Sequence, residues 1–180
     1  MNRLLLSATL LIAGHFSVRA GAQPPAEYEV KAAFIYNFAK YIAWPAPDAG
    51  RPLVVGVIGK DPFGRVLDDA MRGRTVQNRK IVVRRFTRVD DVANCDILFV
   101  ASSETRNLPR ILSTLRNAPV VTIGDMDQFA ERGGMINLTM NRDRVQFEIN
   151  VDALTRAGLK AGSPLLRLAR IVKEPRMESK

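Results

Sequence analysis

Three apolar runs constrain the fold of this chain more than anything else in it: Leu53-Val-Val-Gly-Val-Ile58, Asp96-Ile-Leu-Phe-Val-Ala101 and Pro119-Val-Val-Thr-Ile123. A strand without polar alternation has to be buried on both faces, and that is the condition of a parallel sheet covered by helices. The segments between the runs carry helix signals. Asp61-Pro62 reads as cap and first helical residue of a helix to about Arg72, and Asn107 caps another through Leu115. Gly124-Asp125 opens a short helix from Met126 to Arg132, closed by Gly133. Strands alternating with helices predict right-handed crossovers and a flavodoxin-like or Rossmann-like order. Lys80-Ile-Val-Val-Arg-Arg-Phe86 is a further strand whose arginines suit one edge of the sheet, where charge blocks pairing with another chain.

The far edge is expected to be a hairpin. Ile136, Leu138 and Met140 alternate with Asn137 and Thr139, and Val145, Phe147 and Ile149 alternate with Gln146 and Glu148, on either side of Asn141-Arg142-Asp143. Period two on both arms predicts a β-hairpin with one buried face. Asn150 then stands where an N-cap belongs, Asp152 falls in the first turn of a short helix, and Gly158 ends it. Ser163-Pro164 starts a last helix. The expected class is α/β: residues 23–172 as a single domain, a mostly parallel sheet flanked by helices, closed by a C-terminal β-hairpin.

Glu27 to Ala43 is an amphipathic helix. Val30, Phe34, Phe38 and Ile42 fall four apart, with Ile35 and Tyr41 widening the stripe. So aromatic a stripe suits either a partner groove or the cover of one sheet face, and the second reading is preferred. Ahead of it, residues 1–22 have the order of a cleaved signal peptide: a basic start at Arg3, an apolar run from Leu4 to Gly14, and Ala20-Gly21-Ala22 as the cut. The expectation is a released periplasmic protein with a polar tail at 173–180.

Export would remove Arg3 and Arg19, lowering the formal charge of +9 by two, and would also remove His15, the only histidine. A mature chain without histidine has no Ser-His-Asp or Cys-His catalysis and no histidine metal site. Cys95 is the only cysteine, so no disulfide can form within the chain, and its place at the start of an apolar run marks a buried residue. Gly56 and Gly59 lack the spacing of a phosphate loop. Asp68-Asp69 are neighbours that point apart on a helix, and they read as a solvated face. Ser102-Ser103 lie at a strand C-terminal end, where ligands bind in α/β sheets, but a serine nucleophile there would have only lysine as its base. Arg72, Arg74, Arg79, Arg84, Arg85 and Arg88 form a basic cluster. No aromatics interleave with it and export removes the usual target, so nucleic acid is not an expected partner; anionic headgroups stay open.

Arg144-Val-Gln-Phe-Glu-Ile-Asn150, with Arg156-Ala-Gly-Leu-Lys160 and Ser163-Pro-Leu-Leu-Arg-Leu-Ala-Arg-Ile171, resembles the closing signature of the YfiR-like family of periplasmic regulators. Glu29-Val-Lys-Ala-Ala-Phe-Ile-Tyr-Asn-Phe-Ala-Lys-Tyr-Ile-Ala-Trp-Pro45 is similar to the same family's first helix. The resemblance implies a non-catalytic repressor of a membrane-bound diguanylate cyclase, acting on the cyclase's periplasmic region without a cofactor. It also implies relief by an outer-membrane or peptidoglycan-associated lipoprotein, and it leaves a homodimer open. Family members often carry paired cysteines, from which this chain departs. The partner surface is expected on the closing unit, around Glu148, Leu154, Arg156 and Lys160, although Leu154 reads equally well as core and Glu148 as the partner of Arg144 or Arg156. A second reading is a periplasmic small-molecule binding protein using a crevice at Gly59, Ser102 and Asp125. A third is a lysine-assisted serine hydrolase.

Overall fold

A computed structural model describes residues 25–45 and 50–173. The signal segment expected at 1–22 and the tail from 174 onward lie outside the described residues. The chain runs α1 (Pro25–Tyr41), β1 (Ile42–Ala43), β2 (Leu53–Ile58), α2 (Arg65–Met71), β3 (Thr75–Val76), β4 (Arg79–Phe86), β5 (Ile97–Val100), α3 (Leu108–Leu115), β6 (Val121–Gly124), β7 (Ile136–Asn141), β8 (Arg144–Asn150), α4 (Val151–Arg156), β9 (Lys160–Ala161), α5 (Ser163–Leu166) and β10 (Arg170–Val172). Short 3-10 turns at Val89–Asn94 and Ser102–Glu104 flank β5.

Among the described residues the main sheet has eight strands in the order β10-β8-β7-β6-β5-β2-β4-β3. Its parallel part is β4-β2-β5-β6-β7. Counted along the chain that is the flavodoxin-like order, reversing direction between β2 and β5. The continuous apolar runs follow directly. Val55, Val57, Ile97 and Phe99 point into the core beneath α1, while Val54, Ile58, Leu98 and Val100 point into the one beneath α3. Successive side chains feed two cores, so no position is free to be polar. The larger core is stitched by edge-on rings: Phe63 on Phe99 at 4.7 Å, Tyr28 on Phe63 at 5.1 Å and Phe38 on Phe147 at 5.1 Å.

Both expected edges gain a further strand. Gln77 and Asn78, at φ 51° and 62°, form a two-residue turn that folds β3 antiparallel onto β4. On the other side the expected last helix is a single turn, α5, after which Arg170–Val172 lies parallel to β8. The hairpin itself forms, β7 antiparallel to β8 with Arg142 and Asp143 both left-handed at the turn, but not with the single buried face expected. At its base Asn137 and Glu148 are buried along with Ile136, Phe147 and Ile149, while Met140 near its tip is exposed. The helix expected at 126–132 is absent. That segment is a succession of turns around Phe129, fully buried between Gly124 and Gly134, where a Cβ on either glycine would collide with its ring. Wrapping one aromatic this closely leaves no helical path.

Three further readings shift. Helix α2 begins at Arg65, because Asp61 Oδ1 accepts from the backbone N–H of Phe63 at 2.8 Å and closes a turn first. On α1 the buried face is Tyr28, Lys31, Ala32, Ile35, Phe38 and Ala39, leaving Val30 and Tyr41 outside. Arg79 leaves the exposed basic cluster: it is buried, donating to the carbonyls of Arg51 (3.0 Å) and Pro52 (2.8 Å) and to Asp96 Oδ1 (2.8 Å). Asp96 also takes a two-pronged contact from Arg51, at 2.7 and 3.2 Å, and the N–H of Val54 at 2.8 Å. A buried carboxylate with four donors is fully compensated.

Candidate functional site

The closing unit is built from Asn150 outward. Its Oδ1 accepts from the N–H of Ala153 at 2.9 Å, the expected cap, while its Nδ2 donates to the Ala130 carbonyl at 2.9 Å. The side chain therefore starts α4 and ties it to the turn around Phe129. Ala153, Leu154 and Ala157 face the core, and Gly158 at φ 72° ends the helix.

This placement divides the four expected partner residues. Leu154 is 1% exposed and belongs to the core, because a six-residue helix has only its apolar side to anchor it. Glu148 is 7% exposed, and its partner is neither Arg144 nor Arg156. Arg170 donates Nε to its Oε1 at 3.0 Å with Nη2 on the same oxygen, and Asn137 Nδ2 donates to Oε2 at 3.2 Å. The Glu148 hydrogen bonds push the Arg170 guanidinium above its ordinary range. Arg156 and Lys160 are exposed, at the end of α4 and in β9, where Lys160 pairs with Ala43. Sequence reading missed two exposed apolar residues beside them in the chain's end, Leu168 (77%) and Ile171 (48%). The last helix expected from Ser163-Pro164 is a single turn, and the edge strand that follows it presents Ile171 to solvent.

The crevice expected at the strand ends is also rearranged. At the switch point between β2 and β5, the space over Gly59 is filled by Ser103 and Glu104, and Ser103 Oγ accepts from the N–H of Lys60 at 2.9 Å. Ser102 and Asp125 instead line a crevice of about 350 Å³ one strand along, against the first turns of α1. There Asp125 Oδ2 accepts from Lys31 Nζ at 2.7 Å and from the Tyr28 hydroxyl at 3.0 Å, and Lys31 also meets Glu27 at 2.6 Å. Burial, then the Asp125 charge, drives the Tyr28 phenol well above its usual value. Asn137 lines the same crevice, and its buried Oδ1 has no hydrogen-bond partner among the described residues. Lys31 sits on a helix read as amphipathic, and no local signal distinguishes a lysine that will be buried.

Cys95 is buried as read, with Sγ donating to the Val92 carbonyl at 3.1 Å. Burial, then the neighbouring Asp96 charge, pushes its thiol up to about 12, so it is no nucleophile. Among the described residues no cluster of His, Cys, Asp or Glu could hold a metal ion, and no helix is long and apolar enough to cross a membrane.

Similar proteins place this architecture. A conserved domain protein from Vibrio cholerae superposes with a TM-score of 0.58 at 12% identity, covering 82% of this chain and 60% of that one. Weaker likenesses are the ABC domain in complex with L-Trp from Streptococcus pneumonia (TM-score 0.48, 9% identity, 67% and 55% covered) and a ligand-free, open substrate-binding protein with adhesive properties from Clostridium difficile (0.47, 15%, 79% and 58%). The chain thus spans 55% to 60% of the length of these solved structures, and at 12% identity the likeness to the Vibrio cholerae protein is one of fold. The YfiR/HmsC-like family model matches residues 28–170, from the first turn of α1 into β10, and takes in both stretches that carried the resemblance. The chain belongs to the YfiR/HmsC-like family.

Proposed function

We propose that this protein is a periplasmic regulator that represses an inner-membrane diguanylate cyclase by binding the cyclase's periplasmic sensor region. Capture by an outer-membrane or peptidoglycan-associated lipoprotein relieves the repression. The result is lower cyclic-di-GMP and restrained biofilm formation, reached by binding alone, without catalysis or a cofactor. Family membership supports a periplasmic regulator. The basic, apolar and small-residue order of residues 3–22 agrees with export.

The observation that carries the reading is the apolar edge left open at β10. Leu168 and Ile171 are exposed where an isolated protein gains nothing by exposing them, and the β10–β8 register ends at Asn150, the residue from which α4 leads to Arg156. Exposed apolar residues in the closing unit, together with its exposed cations Arg156 and Lys160, supply the residue types of an interface. The test uses Ile171→Asp and Arg156→Glu with Lys160→Glu, each checked for an unchanged melting temperature. Pull-down from detergent-solubilised inner membranes should retain the cyclase with the wild type and lose it with both variants. Folded variants that repress and are captured normally would place the surface elsewhere.

A second reading, small-molecule binding, is favoured by the unpartnered Asn137 Oδ1 in the crevice beside Asp125. It predicts a ligand-induced melting shift in the absence of any membrane partner, abolished by Asn137→Leu.

A further inference from the structure

The α3 face of the sheet is incompletely covered. Successive parallel strands are usually joined by a helix packed beside the preceding one. Between β6 and β7 that helix is missing, since residues 126–134 wrap Phe129 in turns, and among the described residues no helix packs alongside the outer flank of α3. The gap is a groove of about 630 Å³ with an apolar floor that includes Leu112, Met135 and Ala153. Exposed Arg116, Arg132 and Arg156 stand around it, one from the end of α3, one from the turn and one from α4. Its one acidic lining residue, Glu131, meets Arg170 through Oε1 at 3.4 Å, while its buried Oε2 has no hydrogen-bond partner among the described residues.

We propose that this groove docks an acidic amphipathic helix of a partner protein. An apolar floor recessed between α3, the turn and α4 accepts a ridge of side chains, where a membrane surface would meet only the rim. The guanidinium groups of Arg116 and Arg132 suit carboxylates, which an arginine can grip with two parallel hydrogen bonds, and Arg156 adds positive charge to the rim. Eight residues make α3 roughly 12 Å long at about 1.5 Å per residue, so about two turns of a partner helix can lie along it. The proposal rests on the reading of the chain as a partner-binding regulator, shares Arg156 with it, and adds the chemistry of the partner.

The test uses the full chain and a fluorescein-labelled synthetic helix of about 14 residues, with leucines at i, i+3, i+4 and i+7 and glutamates elsewhere. Its control carries lysines in place of the glutamates. Anisotropy should show the acidic peptide bound at least about tenfold more tightly than the basic one, with the difference shrinking in high salt. Arg132→Glu and, independently, Leu112→Glu should each weaken it by at least about tenfold at an unchanged melting temperature. Hydrogen exchange should slow in residues 109–116 and 131–135 when the peptide binds. Equal affinity for the two peptides, variants that bind like wild type, or protection confined to other segments would overturn the proposal. So would phosphatidylglycerol vesicles protecting these segments while the peptide does not. Because the peptide readout needs no cyclase, a groove that binds while Arg132→Glu still represses fully supports the groove and assigns it a different partner. Loss of cyclase retention without any peptide binding sinks the groove alone.

Discussion

Arg170 Nε donates to Glu148 Oε1 at 3.0 Å across the β10–β8 pair, from the outermost strand to a carboxylate that is 7% exposed. Three residues of parallel pairing would hardly hold a strand in place without it, and Asn137 secures the other oxygen of the same carboxylate. Glu148 therefore fastens the end of the chain to the sheet.

Glu148→Ala should leave Asn137 and Arg170 short of their acceptor and destabilise the fold by about 1–3 kcal/mol, with faster hydrogen exchange at residues 170–172. Chemical denaturation with exchange mass spectrometry reads both. Unchanged exchange at β10 would show that the strand holds by its backbone bonds alone.

Lys31 is 3% exposed between Glu27 and Asp125, so Lys31→Met should strand two largely buried carboxylates at a cost of about 3–5 kcal/mol. Adding Asp125→Asn to that variant should recover part of the loss, which a simple packing defect would not. Urea midpoints of the two variants give the answer.

Leu154→Ala should cost about 2–5 kcal/mol, as truncation of a closed core does, while Arg156→Glu two residues on, at an exposed side chain, should cost clearly less. Similar melting temperatures for the two variants would contradict the assignment of Leu154 to the core.

The Cys95 thiol, raised to about 12 from 9.0, stays protonated in the folded chain while the unfolded chain ionises first as pH rises. Its contribution to stability is thus complete below pH 9 and is lost between there and about 12. Folded protein at pH 8 should resist a thiol reagent until denaturant is added, and Cys95→Ala should flatten the alkaline limb of stability against pH.

Asp68 shifts the opposite way. Its hydrogen bonds from Arg85, at 2.8 and 2.5 Å, lower its carboxyl below 3.8, so the folded state holds the ion more strongly than the unfolded chain does. That stability is present above the ordinary carboxylate pKa and disappears as pH falls through the lowered one. Asp68→Asn should therefore lose stability at neutral pH and show a shallower acid limb, measured by thermal melts between pH 2 and pH 7.

What the chain's sequence determined by itself is whatever depends on spacing and local backbone chemistry. Period two on both arms of 136–149, the cap at Asn150, the helix end at Gly158 and the unbroken runs of β2 and β5 are all local, and each reappears in the fold. They suffice for a parallel α/β sheet ending in a hairpin, and two quoted stretches suffice for the family. The tertiary structure decided which charges go inside. Lys31 meets Asp125 across 94 positions, Arg79 meets Asp96 across 17, and Arg170 meets Glu148 across 22. A lysine or arginine is an ordinary surface residue until a carboxylate from another element arrives to offset its desolvation, and no spacing rule announces that meeting. For the same reason Glu148 left the surface and Leu154 sank into the core, while Leu168, Ile171 and the arginine-rimmed groove were left outside by one strand and one missing helix.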